Sequence, residues 1–334
     1  MGITAKELAK ILNLSEATVS VALNNKPGVS TETRQRILEA AEQYGYDFTK
    51  VSGRKKLNGS IYFVLYHRDG AVIADTPFFS ELTDGVRETC AREGLKLNIR
   101  YLYADDSLND QLAAIRDSDC AGVILLATEM KAEDFARFDV LHMPIVLLDG
   151  YLRNSPYDSI VINNAQGAGL AVDYLVKHRR TQPGYLRSAY AISNFDERAD
   201  GFYQAIRAHG MSTSKSLVHR LTPSSDGAYE DMKEILERGE EPASCYFADN
   251  DVIAAGAIRA FKRAGYRIPE DIAIVGFDNM SIAGYMDPPL TTVNVPKKYM
   301  AEMAVMRLVS LFGADHFVPV RMEVTTNLVK RRSV

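Results

Sequence analysis

The chain has 334 residues, of which 46% are hydrophobic and 25% charged, with a formal net charge of −4. This predicts a soluble globular protein of two or three compact units. No run of about 18 apolar residues occurs and the N-terminus is polar, so the sequence argues against a membrane span and against export, and we expect a cytoplasmic protein. Cys90, Cys120 and Cys245 are far apart and odd in number, which favours reduced thiols over disulfides or a metal site.

The charge is unevenly distributed along the chain. Residues 1–60 carry nine Lys or Arg against six Asp or Glu, whereas the remainder carries 30 against 37. A small basic head on an acidic body suits a protein that contacts nucleic acid with one end only.

Residues 4–25 predict two short helices around a tight turn. Thr4 can cap the first helix while Glu7 reaches back to the amide of that cap. Asn13 lies at the turn, where a short polar side chain tolerates a positive φ, and Ser15 can cap the second helix. The outward face of the second helix carries Glu16, Ala17, Ser20, Val21 and Asn24. Such a helix fits the DNA major groove, although an ordinary helical hairpin explains the same pattern.

A third helix follows, with Ser30 as its cap. Its inner face is predicted from residues at helical spacing, namely Ile37, Ala40, Ala41 and Tyr44. These complete a small core, so we predict an all-α domain over residues 1–46. Hydrophobic periodicity lapses over residues 47–60, which predicts a linker.

From Ile61 onward, β-rich segments alternate with helical patterns, which predicts α/β structure with parallel sheets. In a first lobe the predicted strands are 61–66, 95–101, 122–127, 145–148 and 159–162, with a helix at 79–93. A second lobe repeats the scheme, with a helix at 167–178 and strands at 184–187, 217–221, 244–247 and 272–277. Two doubly wound lobes joined by crossovers leave a cleft at the carboxyl ends of the strands, where small ligands bind.

Enzyme signatures are weak. Gly167-Ala168-Gly169 resembles the start of a dinucleotide fingerprint but lacks its third glycine, so close helix packing explains it better. The histidines are scattered without metal-ligand spacing, and His67 after the first strand is more simply a loop residue. The Asp196-Glu197 pair fits a loop over a binding cleft. We therefore predict no catalytic residues, metal or cofactor.

The segment ELAKILNLSEATVSVALNNKPGVSTETRQRILEAAEQYGY closely resembles the headpiece of the LacI/GalR family of transcriptional regulators. The resemblance covers the first 46 residues and implies a helix-turn-helix that binds operator DNA. Its marks include Leu14-Ser15, Thr18-Val19-Ser20, Leu23-Asn24, Val29-Ser30 and Thr33-Arg34. The DNA contacts that we expect in this headpiece are Thr4, Ser15, Glu16, Ala17, Thr18, Ser20, Val21, Asn24 and Ser30.

In that family the linker becomes helical on the operator and inserts a leucine into the minor groove. Here Phe48 replaces the family's proline, and Ser52-Gly53-Arg54 interrupts the Ala-Arg-x-Leu pattern. Counted from Tyr46, the inserting position holds Lys55, and Leu57 serves only if the register shifts by two. A DNA-contacting hinge and a solvated linker both remain open.

Residues 61–334 resemble the family's periplasmic-binding-protein-like core along nearly their whole length. The marks include Pro77-Phe78-Phe79, Lys177-His178-Arg179-Arg180, IPEDIAIVGFDN at 268–279 and PPLTTV at 288–293. The resemblance implies a first lobe of residues 61–162 and 291–322, and a second of 163–290 and 323–334. In this arrangement the segment Thr291 to Val295 crosses back to the first lobe.

The same resemblance implies a small-molecule effector site between the lobes. The chemistry fits, since aromatic rings can cover a sugar or base ring while carboxylates and a guanidinium grip hydroxyls. Without the resemblance, helix-start packing and helix capping explain these residues. The expected effector contacts are Phe78, Phe79, Asp149, Arg198, Asp251 and Asp278. A neutral carbohydrate is expected, because an anion would meet repulsive carboxylates.

We therefore predict a transcriptional repressor that binds a near-palindromic operator as a homodimer and is switched by its effector. The chain ends after the last strand without a heptad tail, which favours a dimer over a tail-linked tetramer. A solute-binding receptor without DNA function is the alternative, and an enzyme is less favoured. Family members are released by inducers or recruited by corepressors, so the resemblance leaves the sign of the switch open.

Overall fold

The computed structural model describes residues 3–23, 28–44, 46, 59–68, 70, 72–73, 76–105, 107–153, 155–312 and 318–334. The chain divides into two compact units, Met1–Leu57 and Asn58–Val334. The expected DNA contacts Asn24, Lys55 and Leu57 lie outside the described residues.

The described residues of the N-terminal unit form three helices, α1 (Ala5–Leu12), α2 (Glu16–Leu23) and α3 (Thr31–Gln43). The predicted capping box is confirmed, because Thr4 Oγ1 accepts from the Glu7 amide at 3.3 Å and Glu7 Oε2 accepts from the Thr4 amide at 2.8 Å. Asn13 ends α1 with φ of 54°. The predicted cap of α2 is also confirmed, since Ser15 Oγ accepts from the Thr18 amide at 3.0 Å.

The core of this unit is small and differs at one position from the predicted one. Its fully buried members are Leu8, Ala9, Val19, Ala22, Leu23, Ile37, Ala40 and Ala41. Tyr44, which the helical spacing placed on the inner face of the third helix, is 46% exposed. It lies just beyond the end of α3 at Gln43, and Tyr46 packs against the cluster instead.

In the second unit, the part of the chain that the structure describes forms two six-stranded sheets. The strands of the first sheet, in the order β11-β5-β4-β3-β1-β2, are all parallel. Their bounds are β1 (Ser60–His67), β2 (Leu97–Tyr103), β3 (Cys120–Leu126), β4 (Ile145–Leu148), β5 (Asp158–Ile162) and β11 (Arg321–Val324). The second sheet has the order β12-β10-β9-β8-β6-β7, and β12 is antiparallel to β10. Its strands are β6 (Gly184–Ser188), β7 (Val218–Leu221), β8 (Cys245–Ala248), β9 (Ala273–Asp278), β10 (Thr291–Asn294) and β12 (Asn327–Val329).

Helices flank both sheets, which confirms the predicted architecture of a helical headpiece followed by two doubly wound lobes. They are α4 (Pro77–Arg92), α5 (Leu108–Arg116), α6 (Ala132–Phe135), α7 (Asn164–Arg179), α8 (Ser193–Ala208), α9 (Ser225–Glu237), α10 (Asp251–Arg263), α11 (Ser281–Tyr285) and α12 (Lys297–Leu311). Within the described part of the chain, no helix is both long and apolar enough to span a membrane.

The predicted position of the crossover is wrong. β10 lies in the second sheet, where it pairs with β9 in the register Thr291↔Val275, and not in the first lobe. The buried hydroxyl of Thr292 is held there by Asp251. The chain crosses after β10, so that α12 packs on α4 and β11 pairs with β5, and it returns with β12.

Candidate functional site

A small cavity lies between the lobes at the carboxyl ends of their strands. Its volume is about 20 Å³, which is room for about one water molecule. Of the residues expected to contact an effector, those that line it are Phe78, Phe79, Asp149, Arg198 and Asp278. The lining that was not predicted includes Thr128, Asn194, Phe195 and Asn250.

The apolar wall on the first lobe comes from the start of α4. Pro77 occupies the first helical turn, where its missing amide hydrogen is no loss. Phe78 and Phe79 follow, 4% and 6% exposed, with their ring centroids 5.1 Å apart in an edge-on arrangement. Both rings reach the cavity while remaining packed against protein.

Arg198, on α8, is the central cation of the second lobe. Its Nη2 lies 3.1 Å from Asp278 Oδ1 and its Nε donates to Asn164 Oδ1 at 2.9 Å. Its guanidinium carbon stands 3.8 Å from the centroid of the Phe277 ring and is therefore stacked on an aromatic face. Because the side chain is only 3% exposed, these partners are what make its burial tolerable.

The backbone carbonyl of a buried aspartate, Asp249, also holds Arg198. Nη1 of Arg198 donates to the carbonyl oxygen of Asp249, whose own carboxylate accepts from the Ser188 amide at 2.7 Å and from the Tyr185 hydroxyl. Burial raises the pKa of Asp249 to about 6 against the effect of these hydrogen bonds. Asp249 was not predicted from the sequence, although it immediately follows a buried strand, as Asp149 does.

Asp149 is the acidic group of the first lobe at the cavity. It follows β4 with φ of 58°, and its carboxylate accepts from Thr128 Oγ1 at 2.6 Å. Asn194, on α8 of the second lobe, donates to its Oδ1 at 3.1 Å. Burial raises the pKa of Asp149 to about 7, while the Thr128 hydrogen bond and the Arg198 charge act in the opposite direction.

Asp278 ends β9 in a strained backbone conformation. Asp278 and Asn279 have φ values of 99° and 49°, which non-glycine residues rarely adopt. The side chain of Lys297 donates to the Asp278 carbonyl oxygen at 2.7 Å, and Asn279 accepts from Arg331 Nη2 at 2.7 Å. Neither of these supporting cations, Lys297 and Arg331, was predicted from the sequence.

Asp251 was predicted to contact the effector, but it does not line the cavity. Its carboxylate accepts from Thr292 Oγ1 at 2.5 Å and from the Met280 amide at 2.7 Å, inside the second lobe. Burial, followed by the charge of Asp278, raises its pKa to about 8. Its neighbour Asn250 caps α10 and lines the cavity instead.

Other candidate motifs are structural. A Cβ on Gly167 would lie 2.6 Å from the Phe277 ring, so this glycine permits close helix packing, as predicted. His67 stacks on Tyr103 with centroids 5.4 Å apart and does not line the cavity. Asp196 pairs with Arg187 at 2.7 Å.

In the N-terminal unit, α2 presents a continuous exposed face. Glu16, Ala17 and Ser20 are exposed, and Thr18 and Val21 are partly exposed. The hydroxyls of Thr4, Ser15 and Ser30 are exposed at the starts of α1, α2 and α3, where each accepts from a backbone amide of its own helix. These hydroxyls fix the N-terminal ends of the three helices. The other backbone amides at such ends have no intrahelical acceptor and suit phosphate contacts.

Two arginines of α3, not anticipated from sequence, fix the other two helices. Arg34 donates to the Ala22 carbonyl oxygen at 3.1 Å and Arg36 to that of Leu12 at 3.0 Å. Each satisfies a carbonyl in the last turn of its partner helix, which otherwise has no intrahelical donor.

Comparison with protein families assigns both units. Residues 4–47 match the model of bacterial regulatory proteins of the lacI family, and residues 172–334 match that of a periplasmic binding protein-like domain. The HTH-type transcriptional repressor PurR of Mannheimia succiniciproducens is 30% identical over 338 residues, covering 99% of this chain and 98% of the relative. PurR of Aliivibrio salmonicida is 27% identical over 336 residues, with coverage of 99% and 98%.

Solved structures share the fold. A complex of the transcriptional regulator CelR with cellobiose superposes with a TM-score of 0.73 at 24% identity, covering 99% of this chain and 100% of that one. A lac repressor dimer bound to operator and the anti-inducer ONPF gives a TM-score of 0.70 at 20% identity, with coverage of 100% and 99%.

Proposed function

The chain belongs to the lacI family of bacterial regulatory proteins, and we propose that it is a repressor whose operator affinity is switched by a neutral carbohydrate bound between its lobes. As a member of that family it is a DNA-binding transcriptional regulator with an effector-binding core, and not an enzyme. The observation that carries the proposal is the convergence of Asp149, Arg198 and Asp278 with two phenylalanines on one cavity.

The polar groups around the cavity suit hydroxyls better than a charged ligand. Asp149 and Asp278 offer carboxylate acceptors from opposite lobes, and Arg198 offers guanidinium donors between them. Asn194 and Asn250 can both donate and accept. An anionic effector would have to approach Asp278, and also Asp149 wherever that group is ionised, whereas sugar hydroxyls can satisfy donors and acceptors together.

The rings of Phe78 and Phe79 supply the apolar part of the site, since the carbon faces of a sugar ring pack on aromatic surfaces. The present cavity of about 20 Å³ is far smaller than a typical ligand pocket of about 300 Å³ or more. Effector binding therefore requires the lobes or the lining side chains to move apart, and that movement is the proposed switch.

For DNA, we assign readout to the exposed face of α2. Glu16 can accept from a cytosine amino group, while Ala17 and Val21 can contact thymine methyl groups. Thr18 and Ser20, together with the capping residues Thr4, Ser15 and Ser30, then position the helices on phosphates. Glu16 lies 3.8 Å from Lys6, an exposed pair that contributes little to stability and leaves Glu16 available.

The working form that we propose is a cytoplasmic homodimer on a near-palindromic operator. A helix-turn-helix dimer reads two half-sites one helical turn apart, so the symmetry of the site follows from that of the protein. Support comes from the family and from the operator-bound dimer among its structural neighbours. Sedimentation velocity at micromolar concentration tests this, and a monomer there would contradict it.

The effector proposal is tested by a thermal-shift panel that contains ribose, cellobiose, other neutral sugars and nucleobases. Isothermal titration calorimetry on Asp278→Asn, Asp149→Asn and Phe79→Ala then follows for any compound that stabilises the protein. Each variant should weaken binding by about tenfold or more, as expected for loss of a buried polar or aromatic contact.

Asp200→Asn is the matched control, because Asp200 is an exposed carboxylate on the same helix as Arg198. A sugar that binds the three cavity variants with the same affinity as Asp200→Asn and the wild type would show that the cavity is not the effector site. Stabilisation by nucleobases but by no sugar would overturn the carbohydrate assignment while leaving the site intact.

A further inference from the structure

Lys297 is a buried cation at the point where the chain passes from the second lobe to the first. It is the first residue of α12, three residues after β10 ends at Asn294. The residue is 4% exposed, and it does not line the effector cavity. A buried ammonium is costly unless it is paired, so its partners indicate what the side chain does.

Those partners belong to both lobes. On the second lobe, Nζ lies 2.7 Å from the carbonyl oxygen of Asp278 and 3.5 Å from that of Asn279. On the first lobe, it lies 3.3 Å from Glu81 Oε2 and 5.6 Å from the centroid of the Phe78 ring. One ammonium group therefore contacts the backbone of one proposed effector residue and the ring of another, on opposite sides of the cleft.

The geometry points to Lys297 as a positioning residue that couples effector binding at Asp278 to the angle between the lobes, through its paired contacts with the Asp278 carbonyl and Glu81. Asp278 and Asn279 are held with positive φ, a conformation that persists only when its surroundings enforce it. Lys297 is one of the groups that enforce it. A ligand that pulls on the Asp278 side chain therefore also displaces the carbonyl to which Lys297 is bound.

The displacement has a route into the first lobe. Glu81 is on α4, one turn beyond Phe78, and α4 packs along α12. The exposed pairs Lys298–Glu88 at 2.8 Å and Arg92–Glu302 at 2.6 Å continue that packing. A shift at Lys297 therefore reaches a rigid two-helix layer of the first lobe rather than a loose loop.

This role of Lys297 rests on the proposed effector site at Asp278, but it can be tested without an effector. Hydrogen–deuterium exchange of the full-length protein is compared for the wild type, Lys297→Met and Lys298→Met. Lys298 is the matched control, since its 63% exposed side chain pairs α12 with Glu88 of α4 within the first lobe, so that Lys298→Met should leave exchange at residues 278–281 unchanged. Lys297→Met should raise exchange at residues 278–281 and in the first turn of α4 by about fivefold or more, a typical size for coupling between sites.

Glu81→Gln is the decisive variant, because its side chain is 39% exposed and the substitution should not prevent folding. It contacts only the first-lobe side of Lys297, yet it should raise exchange at residues 278–281 in the second lobe. Combining it with Lys297→Met should add nothing further there, since the coupling passes through one ammonium. A purely local role would confine the effect of Glu81→Gln to α4, and that result would overturn the inference whether or not a sugar effector is found.

Discussion

Asn194 on the second lobe donates a hydrogen bond to Asp149 Oδ1 on the first lobe at 3.1 Å, and thereby bridges the two lobes at the cavity. A second contact from the same amide reaches the Asp149 carbonyl oxygen at 3.3 Å. The acceptor is thus a buried carboxyl that the proposed effector would have to share or take over. Its protonation state affects both the stability of the closed lobes and the chemistry offered to a ligand.

Substitution of Asp149 by Asn should reduce the dependence of stability on pH. The pKa of Asp149 is raised to about 7 in the folded protein, so the folded chain holds a proton that the unfolded chain has lost between about pH 4 and 7. The free energy of unfolding therefore falls as pH rises through that window. When the pH rises from 5 to 8, the free energy of unfolding should fall by about 2 kcal/mol less for Asp149→Asn than for the wild type. Urea unfolding at the two pH values measures this difference.

The neighbouring carboxyls Asp249 and Asp251, with pKa values raised to about 6 and about 8, contribute to the same slope and remain in the variant. Asp200→Asn serves as the control and should follow the wild type at both pH values. Equal losses for Asp149→Asn and the wild type would mean that Asp149 is ionised throughout.

Asp251 should respond differently to Ala and to Asn. Asp251→Ala leaves the buried Met280 amide and the Thr292 hydroxyl without their acceptor, which should cost about 2–4 kcal/mol of unfolding free energy. Asn can still accept from the Met280 amide while donating to Thr292, so Asp251→Asn should cost less than about half of that. Chemical denaturation of both variants at pH 7 checks the order, and equal costs would contradict it.

The two glycines near the start of α7 should respond in opposite directions to alanine. In Gly167→Ala the new Cβ meets the Phe277 ring, and overpacking should destabilise the protein by about 1–3 kcal/mol. Gly169 has no heavy atom within 4 Å of a Cβ position, so Gly169→Ala should stabilise it by about 0.5–1 kcal/mol through helix propensity. The pair is measured by urea unfolding, each variant acting as the other's control.

On DNA, Val21→Arg should introduce a requirement for guanine. Val21 is partly exposed on α2 and offers only methyl contacts, whereas an arginine there can grip guanine O6 and N7. Selection from a random DNA pool should return a guanine at one half-site position for the variant and a relaxed preference for the wild type. Ala17→Ser, on the same face, controls for general changes in affinity. A strict guanine in the wild-type sites would refute the assignment of Val21.

Most strands were predictable because parallel sheets buried on both faces produce continuous apolar runs. β4 was predicted with the bounds that the structure has, Ile145–Leu148, since four buried residues define it fully. β10 was predicted in the wrong lobe, because its position is set by pairing with β9. The local sequence of β10 does not indicate which strand it pairs with. The lobe of a short strand at a crossover is therefore a property of the whole fold.

The site was predictable in kind and only partly in detail. Asn250 and Asp251 both follow β8, and successive residues at a helix start point about 100° apart, so sequence alone does not tell which one faces the cleft. Lys297 was missed for a related reason. A lysine at a helix start is normally exposed, and its burial here follows from the meeting of two lobes.

The three crossings between the lobes also govern the order in which the protein can assemble on the ribosome. Val320, immediately before β11, donates to Asp158 in β5, a partner 162 positions earlier in the chain. The first sheet therefore has an open edge at β5 until residues 321–324 have been synthesised, and during that time β5 can pair with other exposed strands. Neither lobe is a continuous segment, so a single cut between them yields two incomplete halves, and the first lobe is completed only after the strands of the second have been made.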